Sequence, residues 1–487
     1  MLSRIAYCAA GVRFDAYPLK SVIQLEPEHL LQHDLLRTLW NLHAQPPAFN
    51  AFVGLLLHVP GNHAWVFGTA FVAMGLALTL TMFALMLELG ASQLVALVMT
   101  SLFVVSPATV LNENWLFYGY PVALILCGAA LCFARFARTQ RIGFAVGFGS
   151  LLALLALSRA SYHLVFVVAA GACAVAVCAR ADRRRVLAAV GLPLVLVGGL
   201  YLKNWVQFGE PTSSTWLGMN LAHMMFQQPT SELRADVAAH HVSSQALIPP
   251  FSRLNHFPHV VLPHTGVPAL DIVSDHGRAN LNNRAYIAIS NQYLKDALHF
   301  IARHPQLYVE RVADSFRTAF TSASEYLAFR ANRSAISGAV GLQNRLLGQV
   351  HDFVPLAPAP NAPRWDQIAW LVVLQYAAVI GAGAVMGVQS LRRARRRLAA
   401  ARATFLFVAG TVAYSVVASN VVELGENNRF RFETDPLVCA AVAALITAGL
   451  VARRRRTAGA ADFVDLVAEE GPIAVAAGAS LPGPKGV

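Results

Sequence analysis

Long apolar segments alternate with short polar ones along most of the 487 residues of this chain. The apolar segments are 68–88, 91–108, 117–134, 142–158, 162–179, 186–202, 366–389, 404–421 and 436–452. Each has about the 17–25 residues that an α-helix needs to cross the hydrocarbon core of a bilayer. With an incomplete apolar segment at 1–12, the pattern predicts an all-α polytopic membrane protein of about ten transmembrane helices.

The N-terminal region holds one more apolar segment, at 46–59, that is too short to span a bilayer and is followed by Pro60 and Gly61. A short amphipathic helix can bury one face in the membrane interface without crossing. We therefore predict that 46–59 lies in the outer interface and that 13–66 is an outer loop. The first span would then be 1–12, so we expect the natural chain to begin upstream of Met1.

The distribution of charge gives the orientation. Only 13% of the residues are charged, about half of what a soluble domain carries, and the net charge is +12. The arginines concentrate in short segments between apolar ones, at 135–141, 180–185, 392–397 and 453–456. Such clusters mark cytoplasmic loops, and this placement argues against a nucleic-acid partner. We expect a bacterial inner-membrane protein whose outer, periplasmic loops are 109–116, 159–161, 203–365 and 422–435.

The spacing of the apolar segments predicts four parts. These are a transmembrane module at 1–203, a mixed or helical extracytoplasmic domain at 204–365, further transmembrane helices at 366–456 and a disordered cytoplasmic tail at 457–487. The six cysteines lie in or beside apolar segments and indicate no disulfide framework. Most of the sixteen histidines lie in 203–365 without the spacing of a metal site, so we interpret them as surface and packing residues.

Ionisable residues gather at three places on the predicted outer face. Arg13 and Asp15 follow the first apolar segment, residues 112–114 include Glu113, and residues 423–433 include Arg429 and Arg431. Ionisable groups at membrane level are costly and are often functional. The alternative is that they are interfacial side chains that extend to water. Three such groups on one face favour function.

Residues 42–50 (LHAQPPAFN) resemble the His-x-x-Pro-Pro-Leu-type element of the C-type (GT-C) glycosyltransferases. These are multi-span enzymes that use lipid-phosphate sugars, such as protein O-mannosyltransferases and the lipid A aminoarabinose transferase. In that family one acidic residue follows the first helix and a second lies in the next outer loop, where this chain has Asp15 and Glu113. Residues 429–431 resemble a late Arg-Tyr-Arg-like motif. The incomplete first helix and the Glu in place of a second Asp depart from the pattern.

The resemblance implies roles for particular residues. Asp15 would be the base in an outer catalytic loop, and Glu113 would orient the acceptor or, with Asp15, hold a divalent ion such as Mg²⁺ or Mn²⁺. The growing negative charge of a polyprenyl phosphate needs fixed donors, which arginine supplies in pairs. The candidate phosphate-binding residues are Arg429, Arg431, Arg159 and Lys203. The candidate acceptor- or donor-binding residues are His43, Gln45 and Glu426. We interpret Trp216 as an interfacial anchor.

The function so implied is transfer of a sugar from a polyprenyl-phosphate donor to an extracytoplasmic glycan, lipid or protein, with a groove between helices for the lipid tail. Two alternatives stay open. A lipid or glycan transporter or flippase is also polytopic, but typically has internal repeats and charged or broken helices at the midplane. The charges of this chain lie instead at the outer ends of its helices. The second alternative is a non-catalytic partner in envelope assembly.

Overall fold

A computed structural model describes residues 2–179, 182–258, 260–262, 264–353, 362–392 and 399–457. In these residues helices predominate and strands are almost absent, which confirms the predicted all-α class. The strands present there are β1 (Ser274–Asp275) and β2 (Arg278–Ala279), which pair antiparallel. The predicted tail beyond residue 457 lies outside the described residues, as do Arg180 and the arginine segment from residue 393.

The first half of the described chain contains the helices α1 (Leu2–Ala9), α2 (Pro18–Ser21), α3 (Glu28–His33), α4 (Leu35–Trp40), α5 (Ala48–Leu57), α6 (His63–Glu88), α7 (Gln93–Val105), α8 (Pro107–Glu113), α9 (Gly119–Thr139), α10 (Ile142–Ser158), α11 (Leu164–Val177) and α12 (Arg183–Phe208). The second half contains α13 (Leu217–Phe226), α14 (Ser231–Ala238), α15 (Pro268–Asp271), α16 (Ala285–Arg303), α17 (Pro305–Ala319), α18 (Arg330–Ala335), α19 (Ser337–Leu346), α20 (Trp370–Arg392), α21 (Ala400–Asn420), α22 (Asn427–Phe432) and α23 (Asp435–Thr457). Short 3₁₀ turns lie at Ser244–Leu247, Leu254–His256, Ala323–Glu325, Leu327–Phe329 and Trp365–Gln367.

Six of the described helices are long and apolar enough to cross a membrane, namely α6, α9, α12, α20, α21 and α23. Helices α7 and α8 make a seventh candidate, bent by 59°. The bend has a local cause, because Pro107 cannot continue α7 and the Ser106 side chain caps α8 by accepting from the Thr109 amide. The predicted span 142–158 is the helix α10 with its 17 residues, and the predicted span 162–179 contains the shorter helix α11, with 14 residues. Both are shorter than the six long helices.

The ends of the helices meet as an alternating topology requires. At one end Arg138 of α9 donates two hydrogen bonds to Glu88 of α6, both of 2.9 Å, and Gln140 accepts from the amide of Ala179 after α11. At the other end the backbone of Asp15 pairs with residues 114–116 between α8 and α9. The C-terminal ends of α6, α9 and α11 therefore lie together at one end of the bundle, and the connection between α8 and α9 lies at the other.

Apolar side chains fill the bundle and also cover its outside. Helix α9 packs against α6, α10 and α21. Gly149 lets α10 approach α12 closely, since a Cβ there would lie 2.5 Å from the Ala189 carbonyl oxygen. Large aliphatic side chains on α6, α7 and α12 point outward, among them Leu80, Leu97 and Val195. Exposed apolar faces of this extent are typical of helices that contact lipid.

Segment 204–365 packs in two ways. Helices α13 and α16 are the centre of a second hydrophobic cluster that includes Met219, Tyr293 and Phe300. The later part of the segment instead joins the main core through Phe329 and Val340. The second cluster therefore packs against the helix bundle, and the pocket described next lies between the second cluster and the bundle.

Candidate functional site

A pocket of about 250 Å³ opens where four parts of the chain meet at one end of the bundle. They are the segment around Gln45, the connection between α10 and α11, residues 214–223 at the start of α13, and residues 418–430. The lining is completed by Ile23, Gln24, Tyr118 and Phe251. Of the predicted site residues, Gln45, Arg159, Glu426 and Arg429 line this pocket. Gln45, Arg159 and the neighbouring pair Glu426 and Arg429 come from three distant parts of the sequence, so only the tertiary fold brings them together.

Arg429 lies almost completely buried at the pocket, with 1% of its surface exposed. Its guanidinium carbon lies 4.4 Å from the ring centre of Phe117 and 4.7 Å from that of Phe430. Nη2 donates to Glu426, whereas Nε and Nη1 have no hydrogen-bond partner among the described residues. A buried donor without an acceptor is unfavourable. A ligand that places oxygen atoms at these two nitrogens would accept hydrogen bonds from them and remove that cost.

Arg159 stands next to Arg429 across the same aromatic side chains. Its Nε donates to Ser161 at 2.8 Å and its Nη1 donates to Glu433. The Phe430 ring centre lies 4.4 Å from its guanidinium carbon, so Phe430 contacts both arginines. Burial raises the pKa of Glu433 to about 7, although the positive charges of Arg159 and Arg429 act to lower it.

Glu426 holds Arg429 in place. Burial alone would raise the pKa of Glu426, but the charge of Arg429 and the hydrogen bond from Tyr326 outweigh it and the pKa is lowered. The Tyr326 hydroxyl donates to Glu426 at 2.6 Å. Helix α22 is itself fixed from the side, because Asn428 donates to Thr321 at 3.2 Å. Because its pKa is lowered, the Glu426 carboxylate is ionised beside the guanidinium of Arg429.

The pocket also contains residues that the sequence did not single out as site residues. His223 of α13 contacts Glu423 through Nδ1 at 3.0 Å, and Trp216 and Asn220 lie on the same face of the polypeptide. The Trp216 indole nitrogen is buried without a partner among the described residues. Glu423 belongs to the charged segment 423–433, but no local signal separates His223 from the other histidines of 203–365.

Asp15 lies outside the lining of this pocket. Its amide donates to the Asn114 carbonyl at 2.8 Å and its side chain accepts from the Tyr17 amide at 2.9 Å. Burial raises the pKa of its carboxyl group, and the bond from Tyr17 acts to lower it. The segment that follows α1 therefore contacts the connection between α8 and α9. The rings of Trp115 and Phe117 stack next to this contact, with their centres 4.6 Å apart, and the Phe117 ring in turn contacts the guanidinium group of Arg429.

Glu113 is also outside the pocket, in a closed network within the bundle. Arg4 donates to it through Nε at 2.9 Å and through Nη2, and Tyr120 donates at 2.9 Å. Gly75 leaves the space, since a Cβ there would collide with the carboxylate. These partners occupy Glu113, and the predicted role in orienting an acceptor has no support from this geometry.

A metal site made by Asp15 and Glu113 also has no support, because the two carboxylates have separate partners. In the part of the chain that the structure describes, no group of three or more His, Cys, Asp or Glu side chains could hold a metal ion.

Two further predicted site residues, Arg431 and Lys203, make structural contacts instead. Each guanidinium nitrogen of Arg431 donates, two of them to the carbonyls of Ala319 and Thr321. Lys203 donates to the carbonyl of Trp40 at 3.1 Å and to that of Leu42 at 2.5 Å. Both side chains therefore tie loops to helix ends, outside the pocket lining.

His43 is fully buried between the outer loop and the second cluster. Its Nδ1 lies 2.9 Å from the Thr215 hydroxyl and its Nε2 lies 2.8 Å from the Asn282 carbonyl. Burial lowers the pKa of His43 to about 3, so the ring is neutral. His43 therefore holds its own segment against Thr215 and Asn282 and is not part of the pocket lining.

The pocket combines two adjacent arginines, one with free donors, with carboxylates, a histidine, amide groups and aromatic faces. Such a set suits a ligand with an oxyanion and several hydroxyl groups. No protein-family model, no curated protein and no solved structure matches this chain.

Proposed function

We propose that this protein is a membrane glycosyltransferase that moves a sugar from a polyprenyl-phosphate donor to a hydroxyl group of a cell-envelope glycan, lipid or protein. The transfer would take place on the outer face of a bacterial inner membrane. The observation that carries the proposal is the pair of unpartnered nitrogens on Arg429, beside Arg159, in a pocket at one end of the helix bundle. The resemblance of 42–50 and 429–431 gives the class of reaction.

The chemistry needs the donors that Arg429 has free. When the acceptor oxygen bonds to the anomeric carbon, the bond from that carbon to the phosphate oxygen breaks and the electron pair stays on the phosphate. Negative charge grows on the leaving group, and fixed cationic donors stabilise that charge more than they stabilise the substrate. Glu426 and Glu433 hold the two arginines, so their positions exist before the donor binds.

The polar part of the pocket suits the sugar. Gln45, Asn220 and Ser214 offer amide and hydroxyl groups along its lining, and Trp216 adds an aromatic face with a free N–H. The resemblance assigns the base to Asp15, which lies outside the lining. Transfer as proposed does not depend on which group takes the proton. By the same resemblance, a single displacement would invert the anomeric centre.

A ten-span topology is part of the proposal. It counts α7 with α8 as one bent span, α10 and α11 as short spans, and a first crossing at 1–12. Helix α11 would cover about 21 Å at 1.5 Å per residue, so the bilayer would thin around it. The arginine segments would then lie in the cytoplasm, and all parts of the chain that line the pocket would lie outside.

The test compares Arg429→Gln with Arg345→Gln, an exposed arginine on α19 that serves as the matched control. Membranes with each variant receive radiolabelled undecaprenyl-phosphate hexoses and pentoses, and the labelled product is counted. Removing one such donor typically lowers turnover by about 10²–10³. We expect that loss in Arg429→Gln and none in the control. Binding of sugar-free undecaprenyl phosphate, followed by tryptophan fluorescence, should weaken in parallel.

The same assay separates the alternatives. A flippase or transporter would move labelled lipid between the leaflets of proteoliposomes and make no transfer product. A non-catalytic assembly partner would do neither. Equal transfer by Arg429→Gln and Arg345→Gln would remove Arg429 from the proposed phosphate site. Mass spectrometry of lipid that co-purifies with the protein would identify the carrier.

A further inference from the structure

His223 and Glu423 form a histidine–carboxylate pair on the wall of the pocket. The Nδ1 atom of His223 lies 3.0 Å from an oxygen of Glu423, and both side chains line the pocket together with Arg159 and Arg429. Both are partly exposed, with 23% and 14% of their side chains accessible. The pair therefore faces the same space as the arginines that would hold the phosphate.

Helix α13 aims His223 at the pocket. Trp216, Asn220 and His223 follow at four- and three-residue steps, which puts them on one face of a helix. The opposite face is buried in the second cluster. Gly218 allows α13 to lie directly on α16, because a Cβ at Gly218 would come within 1.8 Å of the Ser290 carbonyl oxygen. Close backbone contact of this kind fixes the direction of the helix.

Glu423 is fixed by a turn between α21 and α22. Gly425 has φ +131°, a backbone conformation that favours glycine, and it turns the chain beside His223. The Asn427 side chain bonds to both sides of the turn, accepting from the Gly425 amide and donating to the Glu423 carbonyl, each at 2.9 Å. The carboxylate is therefore held at the ring by local structure.

The charges around His223 favour a proton on its ring. Burial lowers the pKa of His223, but the hydrogen bond and negative charge of Glu423, with the charge of Glu426 and the backbone of Leu424, outweigh it, so the pKa is raised. Across the pocket stand the positive charges of Arg159 and Arg429. In its neutral form, a ring with a raised pKa is a stronger proton acceptor.

We infer that His223, oriented by Glu423, accepts the proton of the acceptor hydroxyl in the transfer, an assignment that rests on the proposed function. With Nδ1–H donating to Glu423, the lone pair is on Nε2. As the acceptor oxygen bonds to the anomeric carbon, its proton moves to Nε2, the carbon–phosphate oxygen bond breaks, and the phosphate keeps the electron pair. Glu423 stabilises the imidazolium that forms. The ring then returns the proton to water.

The experiment measures transfer as a function of pH for the full chain in membranes. The variants are His223→Gln and Glu423→Gln, with His299→Gln, an exposed histidine of α16, as the matched control. We expect turnover in His223→Gln to fall by about 10²–10⁴ while KM for the donor is unchanged, as for loss of a general base. Undecaprenyl phosphate should still quench tryptophan fluorescence in this variant, which shows that the pocket is folded.

The pH profile distinguishes a base from a packing residue. A protonated His223 cannot act, so turnover of the wild type should fall below the raised pKa of the ring. In Glu423→Gln the charge that raises this pKa is gone, and the acidic limb should move to lower pH with partial activity retained. In His223→Gln the limb should be absent from the residual activity. The His299→Gln profile should match the wild type.

The outcomes separate the two levels of inference. Full turnover in His223→Gln, with Arg429→Gln inactive, would overturn the role of His223 and leave the proposed function in place. The same holds if Asp15→Asn, and not His223→Gln, removes the acidic limb. A wild-type protein that neither binds undecaprenyl phosphate nor transfers any of the sugars would overturn both.

Discussion

Replacement of Glu113 by Gln is expected to destabilise the fold and to leave the chemistry of the folded molecules intact. The carboxylate is 1% exposed and accepts from two nitrogens of Arg4, whose side chain is 15% exposed, and from Tyr120. A catalytic carboxylate would instead be open to its substrate. The same substitution therefore gives opposite results for the structural role and for the role that the resemblance implies.

The magnitude follows from burial. Removing one partner of a buried, hydrogen-bonded ion pair leaves an uncompensated charge and costs about 3–5 kcal/mol. We expect a loss in that range for Glu113→Gln and for Arg4→Gln. The double variant leaves no unpaired charge, so its loss should be clearly less than the sum of the two. Glu88→Gln is the control, because the Arg138 partner of Glu88 is 60% exposed and such pairs contribute about 0–1 kcal/mol.

The assay is thermal unfolding in detergent micelles followed by circular dichroism, with transfer activity measured on the folded fraction. Lower unfolding temperatures for the single variants, with turnover per folded molecule within a few-fold of the wild type, would support the structural role. If Glu113→Gln unfolds like the wild type but loses turnover, the reasoning from burial is refuted and Glu113 belongs to the chemistry.

Two further perturbations test the packing around the site. Burial raises the pKa of Glu26 to about 8, against the opposing charge of Arg278, so the folded protein holds this proton more tightly than the unfolded chain does. Stability should therefore fall as the pH rises from about 4.5 to about 8, and Glu26→Gln should flatten that slope in unfolding measured across this range. Gly218→Ala inserts a methyl group against the Ser290 carbonyl and should lower stability by about 1–3 kcal/mol or more. It should also reduce transfer through displacement of His223; unchanged unfolding and transfer would contradict the close contact of α13 with α16.

The transmembrane architecture could be predicted because its causes are local. Apolar segments of about 20 residues form helices when their backbone polar groups have no water to bind, whatever the rest of the chain does. The structure has a helix in each predicted apolar segment, and the contact of Arg138 with Glu88 joins two ends that the arginine clusters placed on one side. Two features differ from the prediction, namely the shortness of α11 and the break between α7 and α8 at Ser106 and Pro107.

The candidate site could be predicted only in part. Arg429, Arg159 and Glu426 were identified as ionisable residues at helix ends and Gln45 through the resemblance of residues 42–50, and these four line the pocket. Charge at a membrane surface is a local property, but the partner of a charge is not. Arg431 is close in sequence to Arg429, but it donates to the backbone carbonyls of Ala319 and Thr321 at the end of α17.

The sequence alone was enough to predict the helices, their approximate ends and the candidate ionisable residues between them, because each depends on residues within or beside one span. Only the tertiary structure decided which of those residues meet. Glu113 contacts Arg4, which is 109 residues away in the sequence. His43 contacts Asn282 across 239 residues, and His223 contacts Glu423 across 200 residues. These contacts depend on how helices pack against one another, and hydrophobic periodicity carries no information on that choice. The same ionisable residue types therefore became structural ties in some places and a candidate site in another.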